Sequence, residues 1–172
     1  MRDIPPPPVY SSGPLHRNPN RQSGLTDHNP APVLDDGTAR SLLARAREAR
    51  AHAYAPYSNF PVGAALLARD GRVFTGVNVE NASYGLGNCA ERAAIFKAVS
   101  EGVRDFVAVA VIGPQDEVEC APCGACRQVL VEFGRDLVVI VPDGANVKQY
   151  TMDELLPGAF VPSRLGQGEV PV

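Results

Sequence analysis

The chain has 172 residues, 45% of them apolar and 20% charged, with a net charge of −3. That length suits one domain with a sizeable core, and the small acidic balance argues against a nucleic-acid partner held through its backbone. No run reaches the ~20 apolar residues of a membrane span, and the N-terminus lacks the apolar stretch of a secretory signal. The four cysteines, Cys89, Cys120, Cys123 and Cys126, all fall in mid-chain. Without a secretory signal they point to metal or catalytic work in a reducing cytoplasm, not to disulfides.

Residues 1–34 hold half of the 16 prolines, among them Pro5-Pro6-Pro7-Pro8. Such runs remove backbone donors and favour polyproline II, so a disordered extension, or a misplaced start, is expected over 1–34. A helix then runs from Thr38 to about Ala53, capped by Asp35 or Asp36, with Leu42, Leu43, Ala46, Ala49 and Ala53 on its apolar face. Arg40, Arg45, Arg47 and Arg50 form its solvated face. Pro56 and Pro61 force an extended passage. Val62–Arg69 and Arg72–Val79 read as a hairpin joined at Asp70-Gly71, a two-residue turn signal. After the polar loop 80–88, a helix begins near Asn88 or Cys89 and ends at Gly102, with Ala93, Ile95, Phe96 and Val99 as its buried residues.

Phe106–Ile112 is an apolar run, expected as a strand buried on both faces. A second short helix begins at Pro122 or Cys123 and closes at Gly134. Leu137–Val141 is another buried strand, followed by a strand at 148–151, a helical turn at 152–156 and a loose tail, 161–172. The order α-β-β-α-β-α-β-β-α predicts an α/β fold: a single mixed β-sheet flanked by helices in three α/β/α layers, forming one catalytic domain over 35–160.

The chemistry concentrates in Cys89-Ala90-Glu91-Arg92 and Pro122-Cys123-Gly124-Ala125-Cys126. The C-x₂-C spacing lets Cys123 and Cys126 reach one metal, with Cys89 joining from the preceding crossover. Helix N-termini favour thiolates, and three thiolates on a zinc ion leave its fourth position open for water. A closed four-cysteine structural zinc including Cys120 is the alternative. Glu91 separates the two, because a carboxylate two residues after a ligand can shuttle protons from metal-bound water, a task a structural site does not have. Arg92 would offset the −1 charge of zinc with three thiolates.

These clusters resemble the zinc nucleoside-deaminase signature, Cys-x-Glu followed by Pro-Cys-x-x-Cys. Together with Tyr54-Ala55-Pro56-Tyr57-Ser58, Phe60-Pro61-Val62-Gly63-Ala64-Ala65-Leu66, the stretch from Gly76 to Tyr84 and Glu154-Leu155-Leu156-Pro157-Gly158-Ala159-Phe160, the chain is similar to the small homotetrameric cytidine deaminases over roughly 36–160. The resemblance implies one Zn²⁺ per subunit on Cys89, Cys123 and Cys126. It further implies deamination of cytidine and 2′-deoxycytidine, zinc hydroxide attacking C4 with Glu91 as proton donor and acceptor. Asn78 and Glu80 match residues that hold the ribose 3′-hydroxyl, and Phe60 a ring packed near base and sugar, with Val79 and Ala82 in the same substrate-binding stretch. Ala90 through its N–H and Ala121 through its carbonyl match backbone contacts to the pyrimidine.

Tyr84 and Phe160 match residues that complete a neighbouring subunit's pocket, which would make the active site a property of a homotetramer. The implied partner is a small nucleoside, with no nucleic acid and no membrane. Two features depart from the family pattern: Ala121 stands where members often carry Ser, and Cys120 has no counterpart role. An aminonucleoside deaminase of the blasticidin type shares the zinc core, and a polynucleotide editor would need an open basic channel. A structural-zinc interaction module is the alternative outside the enzyme class.

Overall fold

The computed structural model describes residues 33–161. The Pro-rich stretch and the tail therefore lie outside the described residues, apart from Val33, Leu34 and Val161. Among the described residues, nine α-helices and strands follow the expected order: α1 (Asp36–Arg50), β1 (Gly63–Ala68), β2 (Val73–Val77), α2 (Ala90–Ser100), β3 (Phe106–Ile112), α3 (Gly124–Glu132), β4 (Val138–Asp143), β5 (Asn146–Thr151) and α4 (Met152–Leu155), with a short 3₁₀ turn, Tyr84–Leu86, in the loop before α2. The strands form one mixed sheet in the order β2-β1-β3-β4-β5. Only β3 and β4, joined through α3, pair in parallel; the other neighbours are antiparallel. This follows from connection length. A hairpin reverses the chain, whereas a helical crossover returns it in the same direction.

Alternation along the strands sorts the core into two layers. Leu66, Val109, Val111, Val139 and Val141 face one side, with Ala94, Ile95 and Leu130 of α2 and α3. Ala65, Leu67, Ala108, Ala110, Ile112, Val138 and Ile140 face the other, against Leu42, Leu43 and Ala46 of α1. The central strands are thus covered on both faces, which is why they read as unbroken apolar runs.

Two glycines set how closely the helices approach. A Cβ on Gly63 would stand 2.0 Å from the Ala46 carbonyl oxygen of α1. On Gly76 it would stand 2.4 Å from both the Ala90 oxygen and the Ala94 nitrogen of α2. The obstacles are backbone, which cannot rotate away as a side-chain tip can. Helix and strand therefore touch directly, and the N-terminal half of α2 is seated on β2.

Several sequence expectations shift. The apolar face of α2 runs through the small residues Ala90, Ala94 and Ala98, and Phe96 points away at 51% exposure. Of the four residues expected to be buried, Ile95 is, Ala93 and Val99 are partly so, and Phe96, about 200° round the helix from Ala94 and Ala98, is not. The first hairpin turn uses three residues, not two: Gly71 donates to the Ala68 carbonyl at 3.0 Å, Ala68 N donates to the Arg72 carbonyl, and Gly71 takes φ 89. That is a type I turn closed by a left-handed residue. β5 starts earlier than expected, because Asp143 pairs with Asn146 across the tight turn at Gly144. Arg50 is not part of a solvated face, for it donates to the Gly113 carbonyl and pairs with Asp116 at 2.8 Å. Leu34 joins the second core layer, and the Gln149 side chain holds its N–H and carbonyl at 3.0 and 2.8 Å.

Candidate active site

Two cysteines end up as the cap residues of two helices. Cys89 precedes the first residue of α2 and Cys123 that of α3, both in extended conformation (ψ 157° and 164°). Their carbonyls accept the first helical hydrogen bonds, from Ala93 and Arg127, each at 3.0 Å. Neither side chain accepts from a backbone N–H of its own helix, as a Ser or Asp cap would. Both thiols are therefore left in the positive field of a helix N-terminus with their sulfurs free for another partner.

The crossover lengths bring these termini together. The sulfurs of Cys89 and Cys123 lie 4.0 Å apart, and with Cys126, in the first turn of α3, all three fall within 4.8 Å of one another. Sulfurs bound tetrahedrally to one zinc at ~2.3 Å stand about 3.8 Å apart, so the donor set fits the ion with little rearrangement. The set grades from buried Cys126 through half-buried Cys89 to exposed Cys123. Cys120 is outside the cluster. It packs at the start of the β3–α3 loop, 3.1 Å from where a Gly113 Cβ would sit. The four residues of a closed structural site are thus not brought together.

The groups around Cys89 favour its thiolate. Cys89 is pulled down to about 5, first by the hydrogen bond from Cys126 and then by the Arg92 guanidinium. Arg92 Nη2 donates to its sulfur at 3.5 Å. Cys126 is pushed up, first because it gives that hydrogen bond and then by burial. Glu91, in the first turn of α2, is 4% exposed. Burial raises its carboxyl pKa, and the neighbouring Cys89 charge adds to the effect.

The other expected residues differ in burial and neighbours. Ala90 is fully buried beside Cys89, and Ala121 is half-buried in the loop before Pro122. Phe60 is 49% exposed and stands against Gly113, next to Cys120. Val79 exchanges hydrogen bonds with Asn88, both at 2.9 Å, which ties the end of β2 to the residue before Cys89. Ala82 and Tyr84 are exposed, and Tyr84 stacks at a tilt on Tyr57, with 5.9 Å between ring centroids. A cleft of about 300 Å³ lies here, lined by Tyr57, Ser58, Glu80, Asn81, Tyr84 and Gly87. Tyr84 therefore borders a cleft of its own chain, whatever it offers to another.

Three residues that sequence reasoning passed over hold the site together. Arg127 donates to the Pro122 and Leu155 carbonyls, each at 2.7 Å, joining the turn before Cys123 to α4. Gln128 donates to the Phe160 carbonyl at 2.7 Å, so the segment carrying the exposed Phe160 ring is anchored to the helix that bears Cys123 and Cys126. Ser58 donates to Glu80. Adjacency to the second cysteine pair was the one available signal for Arg127 and Gln128.

Comparison with known proteins agrees with this geometry. Residues 37–141 match the family model described as the cytidine and deoxycytidylate deaminase zinc-binding region. A cytidine deaminase of Sporosarcina psychrophila is 52% identical over 121 residues, covering 69% of this chain and 88% of that protein. One from Halalkalibacterium halodurans is 54% identical over 121 residues, covering 69% and 91%. The crystal structure of cytidine deaminase from Burkholderia pseudomallei is 52% identical, with a TM-score of 0.66, covering 70% of this chain and 98% of that one. The fold and the three-sulfur cluster define a zinc-dependent hydrolase. More narrowly, the chain belongs to the cytidine deaminase family.

An open three-sulfur site makes a clear demand on the fourth thiol. Cys120→Ser is expected to keep close to one zinc per chain after dialysis, measured by metal analysis, whereas Cys123→Ser loses it. Loss of zinc from Cys120→Ser would restore the four-cysteine alternative.

Proposed function

We propose that the chain hydrolyses cytidine and 2′-deoxycytidine to uridine and 2′-deoxyuridine with release of ammonia, a step of pyrimidine salvage. The observation that carries the reading is a buried carboxylate, Glu91, in the first turn of the helix that Cys89 caps. Cys89, Cys123 and Cys126 would hold the zinc ion, which when bound supplies Lewis acidity and a water of lowered pKa.

The chain's own residues do the rest. Glu91 accepts a proton from the attacking water and delivers it to N3 of the ring. It then carries the second proton to the departing 4-amino group, so water is consumed and ammonia released. Arg92, donating to Cys89 Sγ, offsets the thiolate charge so that the site stays electrophilic. The N–H of Ala90, the first residue of α2, donates to the pyrimidine O2, and the Ala121 carbonyl accepts from the amino group.

Phe60 packs on base and sugar. Glu80 and Asn78 take the ribose 3′-hydroxyl, with Val79 and Ala82 completing that side. The Asn78 amide already spends one donor on the Phe60 carbonyl at 2.9 Å and accepts from Val62 N at 2.8 Å. Its second amide hydrogen remains for a sugar oxygen.

Tyr84 (80% exposed) and Phe160 (57% exposed) are large rings left to solvent beside the site. That exposure supports assembly into a homotetramer in which these rings close a neighbour's pocket. Among the described residues no helix is long and apolar enough to cross a membrane. The four free thiols suit a reducing cytoplasm.

Glu91→Gln is expected to fold and retain zinc yet keep less than about a tenth of wild-type turnover, followed by loss of cytidine absorbance. Higher residual activity would remove Glu91 from the proton path. Sedimentation equilibrium of the wild type should give four times the 18.2 kDa chain mass, and a monomer with full activity contradicts the shared pocket.

A further inference from the structure

Two polar side chains at the end of β2 shape the segment 55–62. Asn59 donates to the Ala55 carbonyl at 3.1 Å and takes φ 53, closing a single turn. Left-handed backbone is a conformation that Asn tolerates better than most residues. The turn leaves the Tyr57 and Ser58 amides without a backbone acceptor, and Glu80 fills the gap. Its Oε2 accepts from Tyr57 N at 2.8 Å and from Ser58 N at 3.2 Å. Its Oε1 accepts a short hydrogen bond from the Ser58 hydroxyl. Ser58 Oγ accepts in turn from Phe60 N at 3.0 Å.

The hydroxyl of Ser58 is therefore spent in both directions, as donor to the carboxylate and as acceptor from the backbone of the Phe60 ring. A carboxylate offers about four lone-pair sites, and three of Glu80's are taken. One remains, and Glu80 borders the cleft of about 300 Å³ described above. The Ser58 hydroxyl, and after it the Tyr57 amide, also hold the Glu80 carboxyl below its usual range, so it stays an acceptor.

We propose that Ser58 is the positioning residue of the sugar subsite: its hydroxyl fixes the Glu80 carboxylate and the Phe60 backbone together, leaving Glu80 one acceptor site for one substrate hydroxyl. This rests on the reading above that Glu80 takes the ribose 3′-hydroxyl. Without the Ser58 hydroxyl, Glu80 keeps two amide bonds on Oε2, but Oε1 has no fixed partner and Phe60 N loses its acceptor. Carboxylate torsions are broad and two-fold, so the free oxygen no longer has one preferred direction. Threonine retains the hydroxyl and should retain the function.

The test is steady-state kinetics of the zinc-loaded full chain on cytidine and on 3′-deoxycytidine, for wild type, Ser58→Ala, Ser58→Thr and Glu80→Gln. Ser58→Ala is expected to raise KM for cytidine on the order of tenfold, the scale of one charge-assisted hydrogen bond, with kcat within about twofold. Ser58→Thr should stay within about threefold of wild type, and on 3′-deoxycytidine the gap between wild type and Ser58→Ala should shrink below about threefold. An unchanged KM in Ser58→Ala beside an impaired Glu80→Gln overturns the role of Ser58 and leaves the sugar reading standing. An unchanged Glu80→Gln removes the sugar reading and the inference with it. Equal losses by Ser58→Ala on both substrates mark general damage and also overturn it.

Discussion

The structure depends on two helix N-termini meeting with a cysteine at the cap of each. A helix start carries unpaired N–H groups and partial positive charge, and a thiolate is the soft anion that zinc prefers. Placing Cys89 and Cys123 at the caps, with their sulfurs 4.0 Å apart, makes the helices stabilise the charge that a metal needs. Cys126 enters one turn inside α3 and is buried, so the cluster has a closed back and an exposed Cys123 side. The same helix start that holds Cys89 holds Glu91 and Arg92. A cysteine of the three-sulfur cluster, a buried carboxylate and a guanidinium that donates to the cysteine sulfur are consecutive or nearly so, and one helical turn fixes their relative geometry.

The rest of the fold keeps those two termini in register. The Gly76 contact seats α2 directly on β2, and the parallel β3–β4 pair places α3 on the same face. Loop 113–121, which delivers Ala121 and Cys120, is held from the opposite layer by Arg50 through Gly113 and Asp116. Arg127 and Gln128 tie α3 to the C-terminal segment. The Arg50 and Gln128 restraints end on a backbone carbonyl or a carboxylate of a connecting segment. Such segments lack the ladder bonds that order strands and need side chains to supply them.

Much of this was legible in the sequence because it rests on local rules. Periodicity and turn residues located nine elements, and Phe106–Ile112 was found to the residue. Spacing paired Cys123 with Cys126 but left Cys120 in contention, and it was Glu91, two residues after Cys89, that favoured the open site; the folded chain then brings Cys89, Cys123 and Cys126 together without Cys120. What was not legible is long-range. Phe96 looks like a core residue until the folded chain turns Ala90, Ala94, Ile95 and Ala98 of α2 to the sheet and leaves the phenyl ring on the outer side. Arg50 looks like one more solvated arginine until a loop more than sixty residues away crosses its path. The resemblance placed Asn78 and Glu80 at the sugar, but only the folded chain connects their side chains with Phe60, Val62, Tyr57 and Ser58. This wall of the cleft is thus built largely by side chains binding backbone, a pattern with no sequence signature.

The central claim is an open zinc site with three sulfur ligands. X-ray absorption at the zinc edge of the loaded protein reads it most directly. The account predicts three sulfurs at ~2.3 Å and one oxygen or nitrogen at ~2.0 Å. A shell of four sulfurs would contradict it, because Cys120 would then close the position that the chemistry requires to be free.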